Sequence, residues 1–479
     1  MVFSSHVFLF YFLTLVLGSY YVMPARGRQA MLTLVSYVFY GWANPWFVFL
    51  MLFSTLVDYY CGKVIVGQIR IPWLRNRPGG EERSAERKLG VAVSVVTGLT
   101  LLGFFKYFPF VQSNLNWIVA HFGREAFEVY RVTLPLGISF YTFQSMSYPI
   151  DLYRRQTVPA KNLMDFSCYV ALFPQLVAGP IVRYSDIAHQ LHRRSHSLDK
   201  FSRGVAFFVL GFAKKILLAN PMGEVADAAF GAGGLIWHDA WVGVLGYAFQ
   251  IYFDFSGYSD MAIGMGLMMG FNFPRNFDSP YWADSVTNFW QRWHITLSTW
   301  LRDYLYIPLG GNRKGNVRTY VNLMAVMLLG GLWHGASWNF VIWGGIHGGM
   351  LAGERAMGKN PLYRSAPRVL RIALTFVVVL VAWVFFRAPD LPDALGYLGS
   401  MFGLSSAPPG ARLVSASLLD HYHVAMLVVC AVVVWLCRQS WSWAQRITLP
   451  KALVLLALFA YSVAVMWTQK FNPFIYFFF

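Results

Sequence analysis

Long apolar runs separated by short polar loops recur along the whole chain. The runs are continuous rather than alternating, and many are long enough to cross the hydrocarbon core of a bilayer as a helix. Because irregular backbone cannot face lipid, this pattern predicts an all-α, polytopic integral membrane protein with about eleven transmembrane helices. We expect spans at residues 7–23, 30–66 with a break at Ala43-Asn44-Pro45, 89–108, 134–152, 204–222, 240–272, 319–332, 336–353, 368–386, 424–437 and 452–468.

Two stretches are too interrupted to form plain spans. Residues 166–182 contain Phe173-Pro174 and Ala178-Gly179-Pro180, which favours a re-entrant segment buried in protein. Residues 275–318 mix Trp, Arg, Asp and Asn with apolar residues, which predicts short, partly amphipathic helices on the cytoplasmic side. Residues 183–203 are polar, and we expect a loop there.

Composition agrees with a membrane protein. The chain is 57% hydrophobic and 13% charged, whereas soluble domains carry about 25% charged residues. Its formal net charge is +17, and the basic residues lie in short loops, so positive-inside topology explains the charge better than nucleic-acid binding. An acidic partner, such as a uronic acid polymer or a phosphate, is a second explanation. Arg26 and Arg28 follow the first run, which predicts a periplasmic N-terminus and a cytoplasmic loop Arg70–Lys88.

Two histidines lie in apolar surroundings rich in tryptophan. His334 is in the stretch GGLWHGASWNFVIWGGIHGG, and His294 follows Trp290 and Trp293. An ionisable side chain at membrane depth is costly and is a functional candidate, although a histidine can also hydrogen-bond between packed helices. Two such histidines, each beside a glycine-rich turn, favour one shared site. His347 faces away from His334 if their helix is unbroken, so we expect it to have a packing role.

Other polar residues in this chain are interpreted as structural. Asp254 and Asp260 lie in the apolar run YFDFSGYSDM and need partners there. We expect a hydrogen bond to a neighbouring arginine rather than a catalytic role. None of the four cysteines has a metal-ligand spacing. His189, His192 and His196 lie in the polar stretch among arginines, so no metal site is predicted.

Several motifs in this sequence resemble one known family. WQRWHITLSTWLRDYLYIPLGGNR and GGLWHG resemble the membrane-bound O-acyltransferases (MBOAT). The resemblance is to the bacterial branch that acetylates exopolysaccharide, and it extends to MVFSSHVFLF, LPLGISFYTFQSMSYPIDLYR, FPQLVAGPIVRY, QIYFDFSGYSDMAIGMGLMMGFNFPRNFDSPY and the ending NPFIYF. It spans nearly the full length and is weakest from Pro408 to Pro450. It implies the MBOAT fold as a single domain, residues 1–479, whose helices, re-entrant pieces and short cytoplasmic-side helices enclose a tunnel.

The resemblance implies an O-acetyltransferase that takes acetyl-CoA as its donor substrate and holds no other cofactor and no metal. His334 matches the family histidine, which would act as a general base or as a transiently acetylated relay. His294, which we expect on a helix, matches the second site residue and would orient the acyl group or stabilise its oxygen. Side chains expected to line the donor tunnel are Trp290, Trp293, Ser298, Trp333, Asn312 and Arg313. A hydroxyl bonded to its own helix is the alternative for Ser298, and a simple basic turn is the alternative for Asn312 and Arg313.

The resemblance leaves the acceptor polymer open. Alginate is expected first, with acetylation of cellulose or peptidoglycan and D-alanyl transfer to teichoic acid as alternatives. The expected location is the bacterial inner membrane, with membrane lipid and separate periplasmic or lipoprotein subunits carrying serine-hydrolase-like sites as partners. A polysaccharide or lipid transporter or flippase is an alternative of another class. Broken helices and intramembrane carboxylates support it, whereas the sequence has no internal repeat.

Overall fold

A computed structural model describes residues 2–74, 83–130, 132–358, 361, 363–405 and 409–469. All regular secondary structure in this part of the chain is helical, as predicted. The chain forms two compact units: unit 1 comprises Met1–Gly204 and Ala262–Pro274, and unit 2 comprises Val205–Met261 and Arg275–Phe479. Part of the expected basic loop Arg70–Lys88, and all of the ending NPFIYF, lie outside the described residues.

The helices of unit 1 are mostly short. They are α1 (Leu13–Val22), α2 (Arg28–Gly41), α3 (Phe47–Val66), α4 (Ser84–Leu102), α5 (Phe108–His121), α6 (Ile138–Tyr153), α7 (Leu163–Ala171), α8 (Phe173–Leu176) and α9 (Tyr184–His192). A π-helical segment, Val7–Phe12, precedes α1, and another, Gly103–Tyr107, joins α4 to α5. The span predicted at 89–108 is therefore longer than expected, because α4, this π-helical segment and α5 form one helical segment, Ser84–His121. Pro109, which has no N–H to donate, falls in the first turn of α5, where that donor is not needed.

The helices of unit 2 include the two that carry His334 and His347. The first residues of α10 and the last residues of α12 belong to unit 1. They are α10 (Leu198–Ala213), α11 (Asn220–Phe230), α12 (Trp237–Met268), α13 (Val286–Arg292), α14 (Ile295–Leu301), α15 (Asn316–His334), α16 (Trp338–Ala356), α17 (Arg368–Arg387), α18 (Leu391–Met401), α19 (Ala411–Leu418), α20 (His421–Trp435), α21 (Ser440–Trp443) and α22 (Leu449–Thr468). π-Helical segments lie at Lys214–Ala219 and Arg302–Tyr306, and a 3₁₀ turn at Pro280–Trp282. The predicted short helices between residues 275 and 318 are confirmed.

Five helical segments among the described residues are long and apolar enough to cross a membrane. They are Phe47–Val66, Ser84–His121, Leu198–Phe230, Arg368–Arg387 and Leu449–Thr468, and the bent pair α19 and α20 makes a sixth if it is one span. The polytopic membrane character is thus confirmed. The count of about eleven spans stays a prediction, because the remaining apolar helices are shorter or more polar than these six.

The interrupted stretch 166–182 is broken and buried, as a re-entrant segment requires. It contains the end of α7, the single turn α8 and extended backbone, and every residue in it is buried. The stretch that follows is not the expected loop, because α9 forms within it. Asp186 accepts a hydrogen bond from the backbone N–H of Arg183 at 2.9 Å, which caps this helix, and α9 buries one apolar face that includes Ile187 and Leu191.

Helices α15 and α16 of unit 2 form an antiparallel hairpin around the break at Gly335-Ala336-Ser337. Glycines bring the two backbones close together. A β-carbon at Gly331 would collide with the carbonyl of Phe340, and one at Gly344 would collide with the carbonyl of Met327. Small residues permit this close helix contact in membrane proteins. The hairpin therefore fixes where the last residue of α15, His334, lies.

The two buried carboxylates of α12 pair with lysines, so the expected arginine partner is wrong. Lys214 Nζ lies 2.7 Å from Asp260 Oδ2, and Lys215 Nζ lies 2.7 Å from Asp254 Oδ1. Ser440 Oγ also donates to Asp260 Oδ2 at 2.7 Å. Breaking such a pair would leave a charge buried without compensation. These contacts join the π-helical segment Lys214–Ala219 to α12 within unit 2 and agree with a structural role.

Gly344→Ala should destabilise the hairpin, because its β-carbon has no room beside the Met327 carbonyl. Overpacking of this kind costs about 1–3 kcal/mol, and we expect a lower midpoint of thermal unfolding for purified protein in detergent. Gly349→Ala on the same helix is the control, since nothing lies within 4 Å of its added β-carbon and alanine favours helix. Equal midpoints for Gly344→Ala and wild type would contradict the close contact.

Candidate active site

His294 lies at the junction between two short helices, not on a helix as expected. It directly precedes α14 and is separated from α13 by Trp293, and its backbone is left-handed with φ 43° and ψ 53°. This conformation is uncommon for a residue with a β-carbon. Backbone hydrogen bonds hold the junction: Ile295 N donates to Asn276 O at 2.9 Å, and Asp278 N donates to Arg292 O at 2.9 Å. The imidazole is fully buried, and its ring centroid is 4.7 Å from that of Phe255.

Asn276 fixes the tautomer of His294. The backbone N–H of Thr296 donates to the side-chain oxygen of Asn276 at 3.4 Å, the Thr296 hydroxyl donates to it at 2.8 Å, and the Asn276 amide nitrogen donates to Ser259 Oγ at 3.0 Å. The atom 3.1 Å from His294 Nδ1 is therefore an acceptor, so Nδ1 must carry the hydrogen.

The other ring nitrogen of His294 is left with a lone pair. Nε2 is buried and has no hydrogen-bond partner among the described residues. His294 lies at a helix junction, outside the spanning helices. Burial lowers the pKa of its imidazole, so the ring is neutral at pH 7. A neutral Nε2 without hydrogen can accept a hydrogen bond or a proton from a bound substrate, but it cannot donate to an oxyanion.

His334 ends α15 and lies inside an aromatic enclosure. Its ring centroid is 4.9 Å from that of Trp333, 5.3 Å from that of Trp343 and 5.1 Å from that of Phe386. The side chain is buried. The two imidazoles lie 6.4 Å apart between ring centroids, and Trp333 contacts both of them, with its ring 6.1 Å from that of His294. The two histidines therefore belong to one aromatic cluster.

His347 belongs to the same aromatic cluster, on the other side of Trp343. The expectation that it faces away assumed an unbroken helix, but the chain turns back after His334. The Trp343 ring centroid lies 4.8 Å from that of His347 and 5.3 Å from that of His334. Trp290 Nε1 donates to His347 Nδ1 at 3.3 Å. These contacts agree with a packing role that supports Trp343 and Trp290.

A buried carboxylate on α16 positions α13. Glu354 accepts hydrogen bonds from the backbone N–H groups of Val286 at 2.7 Å and Thr287 at 2.8 Å, and from the Thr287 hydroxyl at 2.6 Å. A carboxylate at a helix N-terminus is favoured by the unpaired N–H groups and the helix dipole. Helix α16 thereby fixes the short helix that leads to His294, and it also carries Trp343 and His347.

The other predicted site residues do not all lie near the two histidines. Trp333 lies between the two histidines, and Trp290 joins the cluster through Trp343, with 5.6 Å between ring centroids. Trp293 instead packs in the apolar core, 5.1 Å from Trp383 and 5.5 Å from Phe289 between ring centroids. The Ser298 hydroxyl donates to the backbone carbonyl of Trp293 at 3.4 Å. This is a local hydrogen bond, as in the alternative to a role in the donor tunnel. Asn312 and Arg313 are exposed in a turn, whereas both histidines are buried.

Sequence analysis missed three residues that shape the site: Asn276, Trp343 and Phe386. Asn276 lies in the mixed segment FNFPRNFDSPY beside other polar residues, so nothing in the sequence set it apart. Trp343 lay in the stretch around His334 but could not be oriented before the break in the hairpin was known. Phe386 lies on α17, and its contact with His334 is a tertiary one that no local pattern predicts.

Comparison with known proteins identifies the class. The chain belongs to the MBOAT, membrane-bound O-acyltransferase, family, whose sequence model matches residues 154–388. That range contains His294, His334 and Asn276. The protein is therefore a membrane-embedded O-acyltransferase, and the resemblance of its motifs to this family is confirmed.

Individual relatives cover most or all of the chain. It is 43% identical to the probable alginate O-acetylase of Azotobacter vinelandii, with all of both chains covered. It is 48% identical to the probable alginate O-acetylase of Pseudomonas aeruginosa over 85% of this chain and 76% of that one. It is 35% identical to the peptidoglycan O-acetyltransferase of Helicobacter pylori over 85% of this chain and 80% of that one.

Asn276→Ala should release the His294 imidazole, because it removes the acceptor for Nδ1–H. We expect a second tautomer of His294 in ¹⁵N NMR of histidine-labelled protein. Acyl transfer should fall at least about tenfold, but less than the roughly 10²–10⁴-fold attributed to a general base. Ser259→Ala is the control, since Ser259 contacts the Asn276 amide nitrogen and not its oxygen. A single unchanged tautomer in Asn276→Ala would refute the assignment.

Proposed function

We propose that this protein transfers an acetyl group from acetyl-CoA, across the bacterial inner membrane, toward hydroxyl groups of an exopolysaccharide, and that this polymer is alginate. The observation that carries the proposal is the pair of buried imidazoles 6.4 Å apart within the matched family range 154–388. The relatives with 43% and 48% identity named alginate O-acetylases favour alginate over peptidoglycan, for which the relative has 35% identity.

The reaction replaces a thioester bond with an oxygen ester. His334, the family histidine, accepts the proton of the acceptor hydroxyl as the oxygen attacks the acetyl carbonyl carbon. The carbon–sulfur bond then breaks, and the coenzyme A thiolate takes a proton from the imidazolium, which restores neutral His334. In the alternative, an imidazole nitrogen of His334 attacks the acetyl carbon and displaces the coenzyme A thiolate, and the acceptor oxygen then displaces the imidazole, so a carbon–nitrogen bond forms and breaks. The aromatic enclosure of Trp333, Trp343 and Phe386 excludes water that would compete with the acceptor.

His294 orients the substrate in this proposal. Its bare Nε2 accepts a hydrogen bond from an N–H or O–H group of the substrate, while Asn276 holds the ring through Nδ1. Of the two roles that the family resemblance allows, the tautomer supports orientation and argues against stabilisation of the acyl oxygen, since an oxyanion requires a donor. The strained backbone at His294 is consistent with a residue held for function.

The polymer lies outside the cytoplasm, so a carrier has to receive the acetyl group on that side. We therefore propose periplasmic or lipoprotein subunits with serine-hydrolase-like sites as partners. The N-terminus lies in the periplasm in this topology, because Arg26 and Arg28 follow the first apolar run.

Purified protein with acetyl-CoA labelled in the acetyl group should cleave the thioester, and His334→Ala should reduce the rate roughly 10²–10⁴-fold if chemistry limits it. His238→Ala is the matched control, because that side chain is 43% exposed. Turnover is measured as released coenzyme A thiol and as label on the protein. Equal rates in wild type and His334→Ala would contradict the central assignment, and an inactive but folded wild type would remove acetyl-CoA as a donor for the isolated chain.

Expression in an alginate-producing strain that lacks its own acetylase should restore acetyl groups on the secreted polymer. ¹H NMR of the purified alginate measures them, and His334→Ala should give polymer in normal amount without acetyl groups. A wild-type chain that leaves alginate unacetylated would contradict alginate as the polymer. A change in the amount of exported polymer, with acetylation unaffected, would instead support the transporter alternative.

A further inference from the structure

Unit 2 contains a cavity of about 240 Å³ at the ends of two candidate membrane spans. Its lining includes Phe230, the last residue of the span Leu198–Phe230, and Ala388, which directly follows the span Arg368–Arg387. Residues of α18 form another part of the wall. Neither histidine of the candidate active site belongs to this lining, and the proposed acyl transfer does not use these side chains.

Two polar side chains in the lining have no partner in the part of the chain that the structure describes. The carboxylate of Asp393 forms no ion pair and accepts no hydrogen bond there, and the residue is exposed. Ser400 is only 4% exposed, yet its hydroxyl has no hydrogen-bond partner among the described residues either. A polar group buried to this extent is costly unless a ligand completes its hydrogen bonds.

Helix capping explains a neighbouring carboxylate but not that of Asp393. Asp390 accepts a hydrogen bond from the backbone N–H of Asp393 at 2.9 Å, and it thereby caps α18. In a capping box the third residue of the helix would bond back to the N–H of the cap residue, but Asp393 forms no such bond to Asp390. The dipole of α18 favours a carboxylate at this position without pairing it, so the Asp393 carboxylate stays available to a cation.

The distribution of basic residues indicates which side of the membrane the cavity faces. Both spans begin with basic residues: Lys200 and Arg203 lie near the start of Leu198–Phe230, and Arg368 and Arg371 near the start of Arg368–Arg387. By the positive-inside rule these starts lie on the cytoplasmic side. The cavity, at the opposite ends of both spans, therefore faces the periplasm.

The segments around the cavity are acidic, although the whole chain has a formal net charge of +17. Residues 224–241 and 387–424 contain six acidic side chains and two arginines. One of these arginines, Arg387, is already paired, since its Nη2 donates to Asp227 Oδ1 at 2.6 Å. The excess negative charge of these segments repels a polyuronate such as alginate and attracts a cationic group.

Size and chemistry favour a single basic side chain as the ligand. The cavity of about 240 Å³ is smaller than the roughly 300–1,000 Å³ typical of sites for small molecules. Lysine and arginine carry a positive charge for Asp393 and N–H donors for the Ser400 oxygen. The stacked rings of Phe230 and Tyr397, with centroids 4.0 Å apart, give an apolar wall against which the aliphatic part of such a side chain packs.

We propose that this cavity receives a lysine or arginine side chain from the periplasmic subunit that accepts the acetyl group. The segments around the cavity then form the docking surface for that subunit, and their negative charge selects a partner with a basic surface. This inference rests on the proposed function, which requires an acetyl carrier on the periplasmic side.

Co-purification tests the docking surface. The full-length protein, with an affinity tag, is expressed in the alginate-producing strain that lacks its own acetylase, together with that strain's periplasmic serine-hydrolase-like acetylation subunit. Asp393→Lys should lower the amount of this subunit recovered in detergent about tenfold or more, because like charges then meet at the cavity. Gly396→Leu should lower it as well, since Gly396 lines the cavity and nothing lies within 4 Å of an added β-carbon. Asp199→Lys is the matched control, because it makes the same charge change at an exposed position at the opposite end of the span Leu198–Phe230.

Two further measurements separate this inference from the proposed function. The acetyl content of the secreted alginate should fall in Asp393→Lys, while purified Asp393→Lys should cleave acetyl-CoA at the wild-type rate. A wild type that leaves alginate unacetylated would contradict the proposed function, and recovery of the subunit still tests the docking surface in that case. Equal recovery of the subunit with wild type, Asp393→Lys and Gly396→Leu, or no recovery with wild type, would overturn the docking surface alone.

The ammonium group of a lipid is the other cation that this cavity could bind. Native mass spectrometry of wild type and Asp393→Lys with phosphatidylethanolamine measures it. Loss of this lipid from Asp393→Lys with unchanged recovery of the subunit would assign the cavity to a lipid and overturn the docking surface. Thermal unfolding of each variant confirms that it is folded, and Asp393→Asn replaces Asp393→Lys if the latter is not.

Discussion

In this protein a polar atom buried among apolar side chains has to find its partner within the chain, and much of the structure follows from that constraint. Glu354 accepts three hydrogen bonds at the start of α13, and Asp254 and Asp260 each pair with a lysine. The side-chain amide of Asn276 donates a hydrogen bond through its nitrogen and accepts one through its oxygen. The Nε2 of His294 is among the buried polar atoms that have no hydrogen-bond partner in the described residues, and an unpaired buried acceptor is costly unless a ligand completes it.

The helical membrane architecture was predictable because span-length apolar runs permit little else. Positions within the runs were harder to predict. The span predicted at 89–108 extends to His121, because a π-helical segment joins α4 to α5 and Pro109 falls in the first turn of α5, where proline is tolerated. The polar stretch after residue 183 forms α9 because Asp186 caps it and Ile187 and Leu191 give it an apolar face. Both outcomes depend on capping and burial, which hydropathy alone does not encode.

The two histidines of the site could be predicted from the sequence, but the geometry of the site could not. His294 and His334 stood out because ionisable groups are rare in apolar surroundings. The helical placement of His294 failed because Asn276 and the backbone bonds around it stabilise a left-handed junction instead. His347 was expected to face away because an unbroken helix was assumed, but the break after His334 reverses the chain and brings both rings against Trp343. A single turn thus decided which side chains meet, and it depends on glycine contacts between α15 and α16.

Backbone strain accompanies the residue that the proposed chemistry depends on, His294. Left-handed conformations at residues with a β-carbon cost about 1–3 kcal/mol each, so other contacts must hold them. At His294 the holding contacts are those of Asn276, and their consequence is one lone pair on a buried, neutral ring. The strained residue, held by neighbouring hydrogen bonds, thus leaves one nitrogen ready for a partner that the described residues do not supply.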